Sequence, residues 1–231
     1  MATNHKTALV ERFFSGTGSQ YDRFAKLCTF GFDVMWKKRI LEKIPDGSKR
    51  IMDQACGTGI LTFEIAQRFP ESRVVGVELR DEYLRIAREK ARALNIDNAE
   101  FILGRAEDVF LEDGFDCITS SYLAKYAELD LLVRNNRKML REGGVLVMHD
   151  FTYPSNRAFA LIWEFYFKLL QTIGSSLYPQ WKTIFDELPG LLKATRWVDE
   201  LTRALDENAF SEVDVTPLTF HTAAIVSARK S

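Results

Sequence analysis

Cysteine is scarce and scattered. The three, Cys28, Cys56 and Cys117, form no CxxC pair and belong to no cluster with metal-ligand spacing. That leaves no disulfide framework and no metal centre to expect, and makes a reduced, cytoplasmic chain the simplest expectation. A surplus of one charge is also lacking: 31 basic side chains stand against 32 acidic ones. With no basic excess to neutralise a phosphate backbone, a nucleic-acid partner is disfavoured. Long apolar runs are missing too. The longest, residues 158–170, is interrupted by Glu164 and Lys168 and is shorter than the roughly 20 residues a bilayer span needs. The first residues are polar with no apolar run behind them, so no secretory leader is expected. There is no internal repeat and no low-complexity linker. At 231 residues, residues 1–231 suit one α/β domain.

What is present alternates. Residues 8–44 read as helical and rich in aromatics, so 1–48 is expected to form a helical cover. Strands are expected at 50–53, 73–79, 100–103, 115–120 and 145–151. Helices are expected between them at 61–69, closed by Pro70, at 81–94, capped by Asp81, and at 130–141, stopped by Gly143 and Gly144. Strands and helices in this order imply a mostly parallel sheet of βαβ units. The strands are short apolar runs without alternation, as when both faces of a sheet are covered. Beyond Pro154 a long aromatic helix is expected at 156–173, with two more near 181–187 and 196–206; together 152–207 reads as a helical insertion. The end, 211–228, reads as two antiparallel strands turning near Pro217. In the aromatic helix, Phe159, Trp163, Tyr166 and Phe167 recur at helical spacing, which favours core and pocket wall over membrane contact.

The strongest local signal is Asp53-Gln54-Ala55-Cys56-Gly57-Thr58-Gly59. A strand ends in a carboxylate, and a glycine-rich turn opens a helix. Glycines let backbone approach a ligand closely, and a helix N-terminus offers free N–H groups. Glu78 closes the next strand, where nucleotide-binding α/β folds grip a ribose. The competing explanation is a plain helix cap at Asp53 and a solvated Glu78. The turn lacks the GxGxxG spacing of dinucleotide binders and the GK[ST] of a P-loop. It suits a nucleoside without pyrophosphate.

These residues resemble the UbiE/MenG family, the S-adenosylmethionine (SAM)-dependent C-methyltransferases of ubiquinone and menaquinone biosynthesis. The resemblance is carried by FFSGTGSQYDRF (13–24), FGFDVMWKKRIL (30–41), MDQACGTG (52–59), GVEL (76–79), REGGVLVMHDFTYP (141–154) and LTFHTAAIVSARK (218–230). It implies a Rossmann-like, seven-stranded class I methyltransferase fold with a C-terminal antiparallel hairpin. It also implies a quinol-like lipophilic acceptor beneath the N-terminal cover, with 152–207 over the acceptor site. Carried onto this sequence, the SAM contacts are expected at Tyr21, Asp53, Ala55, Gly57, Gly59, Glu78, Leu79, Arg105, Ala106, Glu107 and Ser120. Three positions depart from the family pattern around the cofactor: Gln54 for leucine, Ile60 for an acid, and Arg105 for an aspartate that usually faces the adenine amino group. A fourth, His221, stands at a family glycine. Arg105 cannot accept a hydrogen bond, so adenine recognition is expected from the Ala106 backbone, Glu107 or apolar packing.

A phenol becomes nucleophilic when its proton leaves, so a base should stand near the acceptor hydroxyl. Candidates at strand ends are His149, Asp150 and Tyr122, with Lys125, Tyr126 and His221 behind them. Strand alternation allows only one of His149 and Asp150 to face a cleft. Tyr21, Asp22 and Arg23 either close over SAM or form a helix start with a surface ion pair. Two further functions stay open: SAM chemistry other than methyl transfer, such as amino transfer to a quinone, and a non-catalytic binding protein. Peripheral contact with the inner face of a membrane and a homodimer are both compatible with the resemblance.

Overall fold

The computed structural model describes the backbone of residues 2–112 and 114–231, with side chains from Lys6 onward. Among these residues the strands are β1 (Arg50–Gln54), β2 (Arg73–Glu78), β3 (Ala99–Leu103), β4 (Phe115–Ser121), β5 (Leu140–Phe151), β6 (Phe210–Leu218) and β7 (Ala223–Lys230). They form one sheet in the order β3-β2-β1-β4-β5-β7-β6. β1 to β5 run parallel, and β7 is antiparallel to both β5 and β6. This is a Rossmann-like, seven-stranded sheet with a reversed C-terminal hairpin, as the resemblance implies.

Between the strands lie α4 (Ile60–Arg68), α5 (Asp81–Ala93) and α6 (Leu129–Met139). Ahead of them come α1 (Ala2–Phe14), α2 (Tyr21–Cys28) and α3 (Phe32–Lys43). After β5 come α7 (Arg157–Leu169), a widened π turn (Leu170–Gly174), the single turn α8 (Ser175–Leu177), α9 (Lys182–Ala194) and α10 (Trp197–Glu207). Val145 and Val147 of β5 join Trp36, Ile40 and Ile65 on one side of the sheet. Leu146 and Met148 join Leu132, Trp197 and Leu201 on the other. Both faces are thus buried, which is why these strands read as continuous apolar runs.

Four local expectations are corrected. Asp81 is the first residue of α5 rather than its cap; Arg80 holds that position, and Asp81 pairs with Arg85. The helix before β5 ends at Met139, because Leu140 already pairs with Phe115 and the strand bulges before Cys117 meets Val145. The helix expected near 181–187 runs on through Pro189 to Ala194. The hairpin does not turn at Pro217. That proline pairs with Ala224 within the edge strand β6, where a missing N–H is tolerated. The turn is made by Thr219, Phe220 and His221, all at positive φ. No helix among the described residues is long and apolar enough to cross a membrane.

Candidate active site

At the C-terminal edge of β1 the chain turns sharply. Ala55, Gly57 and Gly59 have φ of 56°, 59° and 89°, and α4 starts at Ile60. A Cβ on Gly59 would lie 2.4 Å from the Phe63 ring, so this position requires glycine on both counts. The turn is tied to β2 twice: the Cys56 N–H donates to the Val77 carbonyl at 2.9 Å, and the Gly57 N–H to the Glu78 carboxylate at 2.9 Å. Glu78 also accepts from the Arg80 N–H at 2.8 Å, yet burial still raises its pKa. Asp53 sits beneath the turn. Its carboxylate accepts from the Thr62 hydroxyl at 2.6 Å and the Thr119 hydroxyl at 3.3 Å. Burial pushes its pKa up to about 7, against those two hydrogen bonds.

A cleft of about 830 Å³, open to solvent, lies over this turn. Of the residues expected to contact cofactor, Tyr21, Ala55, Gly57, Glu78, Leu79, Arg105, Ala106 and Glu107 line it. Asp53, Gly59 and Ser120 do not: Asp53 is buried beneath the turn, Gly59 is its last residue, and Ser120 is buried in β4 with its hydroxyl unpartnered. Lys6, Phe14 and Tyr83 line it without having been singled out. The N-terminal segment is held across the cleft from α5. Glu82 accepts from the N–H groups of Gly16 and Gly18, and Thr17 bonds the Tyr83 hydroxyl at 2.7 Å. Asp22 joins Lys90 and the Thr58 hydroxyl. Asp22 is therefore the ion-paired clamp, and Tyr21 the residue that faces inward.

A second cavity of about 1420 Å³ lies beyond, walled by α2, α3, α7 and α9. Phe159, Trp163, Tyr166 and Phe167 line it, as does Trp181, stacked on Phe24 at 3.6 Å between ring centroids. Lys125 is the charged side chain in a lining otherwise mostly aromatic and aliphatic. Phe14, Tyr21, Tyr122 and Tyr126 line both cavities. The outer side of α7 is bare: Leu161 and Phe165 are 67% and 70% exposed, and Ile162, at the edge of the cavity, is 63% exposed.

Where the cavities meet, a buried polar cluster surrounds Tyr122. Its hydroxyl donates to Asp33 at 2.7 Å, and Lys37 pairs with the same carboxylate oxygen. Lys125 pairs with Asp150 at 2.6 Å and donates to the Tyr122 carbonyl at 3.0 Å. Burial lowers the Lys125 pKa, although Asp150 opposes this. His149 bonds Ser121 through Nδ1 at 3.0 Å, and its Nε2 is buried without a protein partner. Burial, with Lys37 and Lys125 nearby, holds the His149 pKa well below its usual value, so the ring is neutral. His149 and Asp150 point to opposite sides of β5, as alternation requires, and neither lines a cavity.

The family profile of the ubiE/COQ5 methyltransferase family matches residues 2–230. This chain belongs to the ubiE/COQ5 methyltransferase family. It is a SAM-dependent methyltransferase. Among its relatives is a demethylmenaquinone methyltransferase of Thermus thermophilus, 32% identical over 219 residues, 92% of this chain and 97% of that one. Another of that name, from Geobacillus stearothermophilus, is 25% identical over 95% of this chain and 96% of its own length. Solved structures share the fold. The geranyl diphosphate C-methyltransferase of Streptomyces coelicolor A3(2) gives a TM-score of 0.62 at 16% identity, over 86% of this chain and 79% of that one. The pyocyanin biosynthetic protein PhzM gives 0.66 at 16% identity, over 96% and 61%.

Two departures of this methyltransferase from its family pattern have structural reasons. Gln54 exchanges two hydrogen bonds, of 2.8 and 3.1 Å, with the buried Asn136, so neither amide is left unsatisfied. Arg105 is held by Glu107 at 3.0 Å and Glu128 at 3.1 Å, so its charge offsets one of these two acids on the rim. His221 is exposed on the hairpin turn. The cleft fits an adenosyl ligand: positive-φ backbone at its floor, a strand-end carboxylate, and an apolar flank of Val77, Leu79 and Ala106. Sequence reasoning missed Asp33 and Lys37. Their i,i+4 spacing marks an ion pair, but nothing in sequence tells a buried pair from a solvated one.

Proposed function

We propose that this enzyme methylates a ring carbon of a lipophilic quinol, the chemistry named for its demethylmenaquinone relatives. The observation that carries the reading is the second cavity: a large aromatic chamber with Lys125 in its wall, meeting the cleft at Phe14, Tyr21, Tyr122 and Tyr126. Such a chamber suits a flat ring with an apolar tail, and the lysine suits an oxygen that becomes negative.

SAM supplies a methyl group made electrophilic by its sulfonium charge. The chain's own work is to position, exclude water and move one proton. Glu78 is assigned to the ribose hydroxyls, the amides around Gly57 to the amino-acid part, and Leu79 and Ala106 to the adenine flanks. Arg105 and Glu107 form the rim beside the base. Asp53, through Thr62 and Thr119, and Gly59, through its positive φ, keep the floor in shape. Tyr21 and the clamp at Asp22 shut out water. Of the base candidates, Tyr122 and Tyr126 touch both chambers, and the Tyr122 hydroxyl is the one that donates to a carboxylate, Asp33, so the acceptor proton is assigned to it. Burial raises the Tyr122 pKa well above the usual value, which makes it a neutral relay rather than a phenolate. Asp150 holds Lys125 in place, and His149 backs the tyrosine ring at 5.0 Å between centroids.

The chamber's mouth carries Phe30, Ile162 and Phe220, continuous with the exposed face of α7. An apolar patch at the entrance of an apolar cavity supports uptake of the acceptor from a lipid surface. The reading is tested by product analysis with SAM and a short-chain demethylated quinol. The expected result is one S-adenosylhomocysteine for each ring-methylated product. S-adenosylhomocysteine without a methylated ring, or an aminated ring, would refute it.

A further inference from the structure

We infer that Asp33 is the terminal proton acceptor of the reaction, reached through the hydroxyl of Tyr122. The inference rests on the phenolic acceptor proposed above. Asp33 is 3% exposed and sits on α3, whose Phe32 and Trp36 line the acceptor chamber. Buried ion pairs give little stability over apolar replacements, so a buried Asp33–Lys37 pair behind a cavity wall calls for a chemical reason. Tyr122 is held at φ 69°, an uncommon conformation for a bulky residue. That conformation keeps its ring stacked on Phe151, at 4.7 Å between centroids, while its hydroxyl reaches Asp33 at 2.7 Å. The Tyr122 oxygen gives its one proton to Asp33, and among the described residues no group donates to it. A lone pair is therefore left uncommitted on a residue that lines both cavities, and the acceptor proton is assigned to it.

The step balances. The acceptor O–H bond breaks, its electron pair stays on the acceptor oxygen, and its proton joins the Tyr122 oxygen. The original Tyr122 O–H bond breaks in the same event, and that proton joins Asp33. Tyr122 is neutral before and after. One negative charge moves from Asp33 to the acceptor and is consumed when the ring carbon takes the methyl group from the sulfonium. The C–H bond of that carbon then breaks, its proton replaces the one lost from the acceptor oxygen, and the single net proton is released to solvent from Asp33. The charged and titratable groups that interact with Asp33 are Lys37 on its own helix, Tyr21 on α2, Glu64 on α4 and Tyr122. Lys37 in turn acts on Asp53 and His149.

The test compares the full-length wild type, D33N and Y122F with SAM and a series of phenols of graded acidity, read as single-turnover rates. For acceptors that are un-ionised at the assay pH, each variant is expected to lose about 100-fold or more, the range for a lost general base. For acceptors already ionised, the loss should shrink to about threefold or less. The D33N rate should rise with pH along the acceptor's own ionisation. Calorimetric SAM affinity should stay within about twofold. Y122F leaves the Asp33–Lys37 pair intact, so it decides the question if D33N does not fold. Equal losses for ionised and un-ionised phenols, or no loss, would overturn the relay while leaving the quinol reading standing. A wild type that methylates neither these phenols nor the demethylated quinol would overturn both.

Discussion

The two chambers are built by different means. The cleft over the glycine turn is shaped by backbone: three positive-φ residues and a carboxylate gripping two N–H groups. The aromatic chamber is shaped by side chains from α2, α3, α7 and α9, with few hydrogen bonds to fix it. A backbone site is specified within a few residues of chain and tolerates little change. A side-chain chamber is specified by packing and can be resized without disturbing its neighbour.

Four measurements would break or sharpen that contrast. Trp181→Ala should have the largest effect. Its side chain is fully buried and stacked on Phe24, so the loss is expected to cost about 3–5 kcal/mol in denaturant melts. In the surviving folded enzyme, KM for the acceptor should rise far more than the Kd for SAM; equal rises would mean the chambers are not separable. Glu78→Ala should do the reverse. It removes a charged acceptor shared by two N–H groups and, on this account, by the ribose, costing roughly 2–3 kcal/mol of SAM affinity by calorimetry.

Asp53→Asn probes the support beneath the cleft. Burial raises the folded pKa of Asp53 to about 7, above its value in an unfolded chain. The unfolded chain therefore loses this proton first as pH rises, and stability falls between about pH 4 and 7. The asparagine variant lacks this loss. It should be more stable than wild type by about 1–2 kcal/mol at pH 8 and not at pH 4.5, after allowance for altered bonds to Thr62 and Thr119. A constant difference across pH would mean Asp53 is ionised throughout. The smallest effect on stability belongs to Leu161→Ser with Phe165→Ser, on the exposed face of α7. Stability should move by less than about 0.5 kcal/mol per site, while co-flotation with quinone-bearing vesicles is lost. Unchanged flotation, or none in the wild type, removes the lipid-surface proposal.

The same contrast explains what could be read from the chain. The cleft was legible because its parts are local: Gly57 and Gly59 follow Asp53 directly, and Glu78 ends the next valine-rich strand. The sheet was legible for the same reason, its antiparallel C-terminal hairpin included, but not the place where that hairpin turns. There the turn uses threonine, phenylalanine and histidine at positive φ, where sequence rules look for glycine or asparagine. Pro217 was misleading because an edge strand can hold a proline that a central one cannot. The polar cluster was half legible. Tyr122, His149 and Lys125 lie at strand ends and drew notice. Asp33 and Lys37 come from a helix about ninety residues earlier, and only the folded chain brings them to Tyr122. Burial decided the rest: His149, a candidate base with an ordinary pKa near neutrality, is enclosed and neutral behind the Tyr122 ring.

A co-crystal with S-adenosylhomocysteine and a prenylated naphthoquinone tests the pairing of chambers most directly. The account requires the ribose hydroxyls on Glu78 and the quinone ring between Tyr21, Tyr122 and Tyr126, with an oxygen toward Tyr122 or Lys125. A quinone ring bound outside the aromatic chamber, or an adenosyl group away from Glu78, would contradict it.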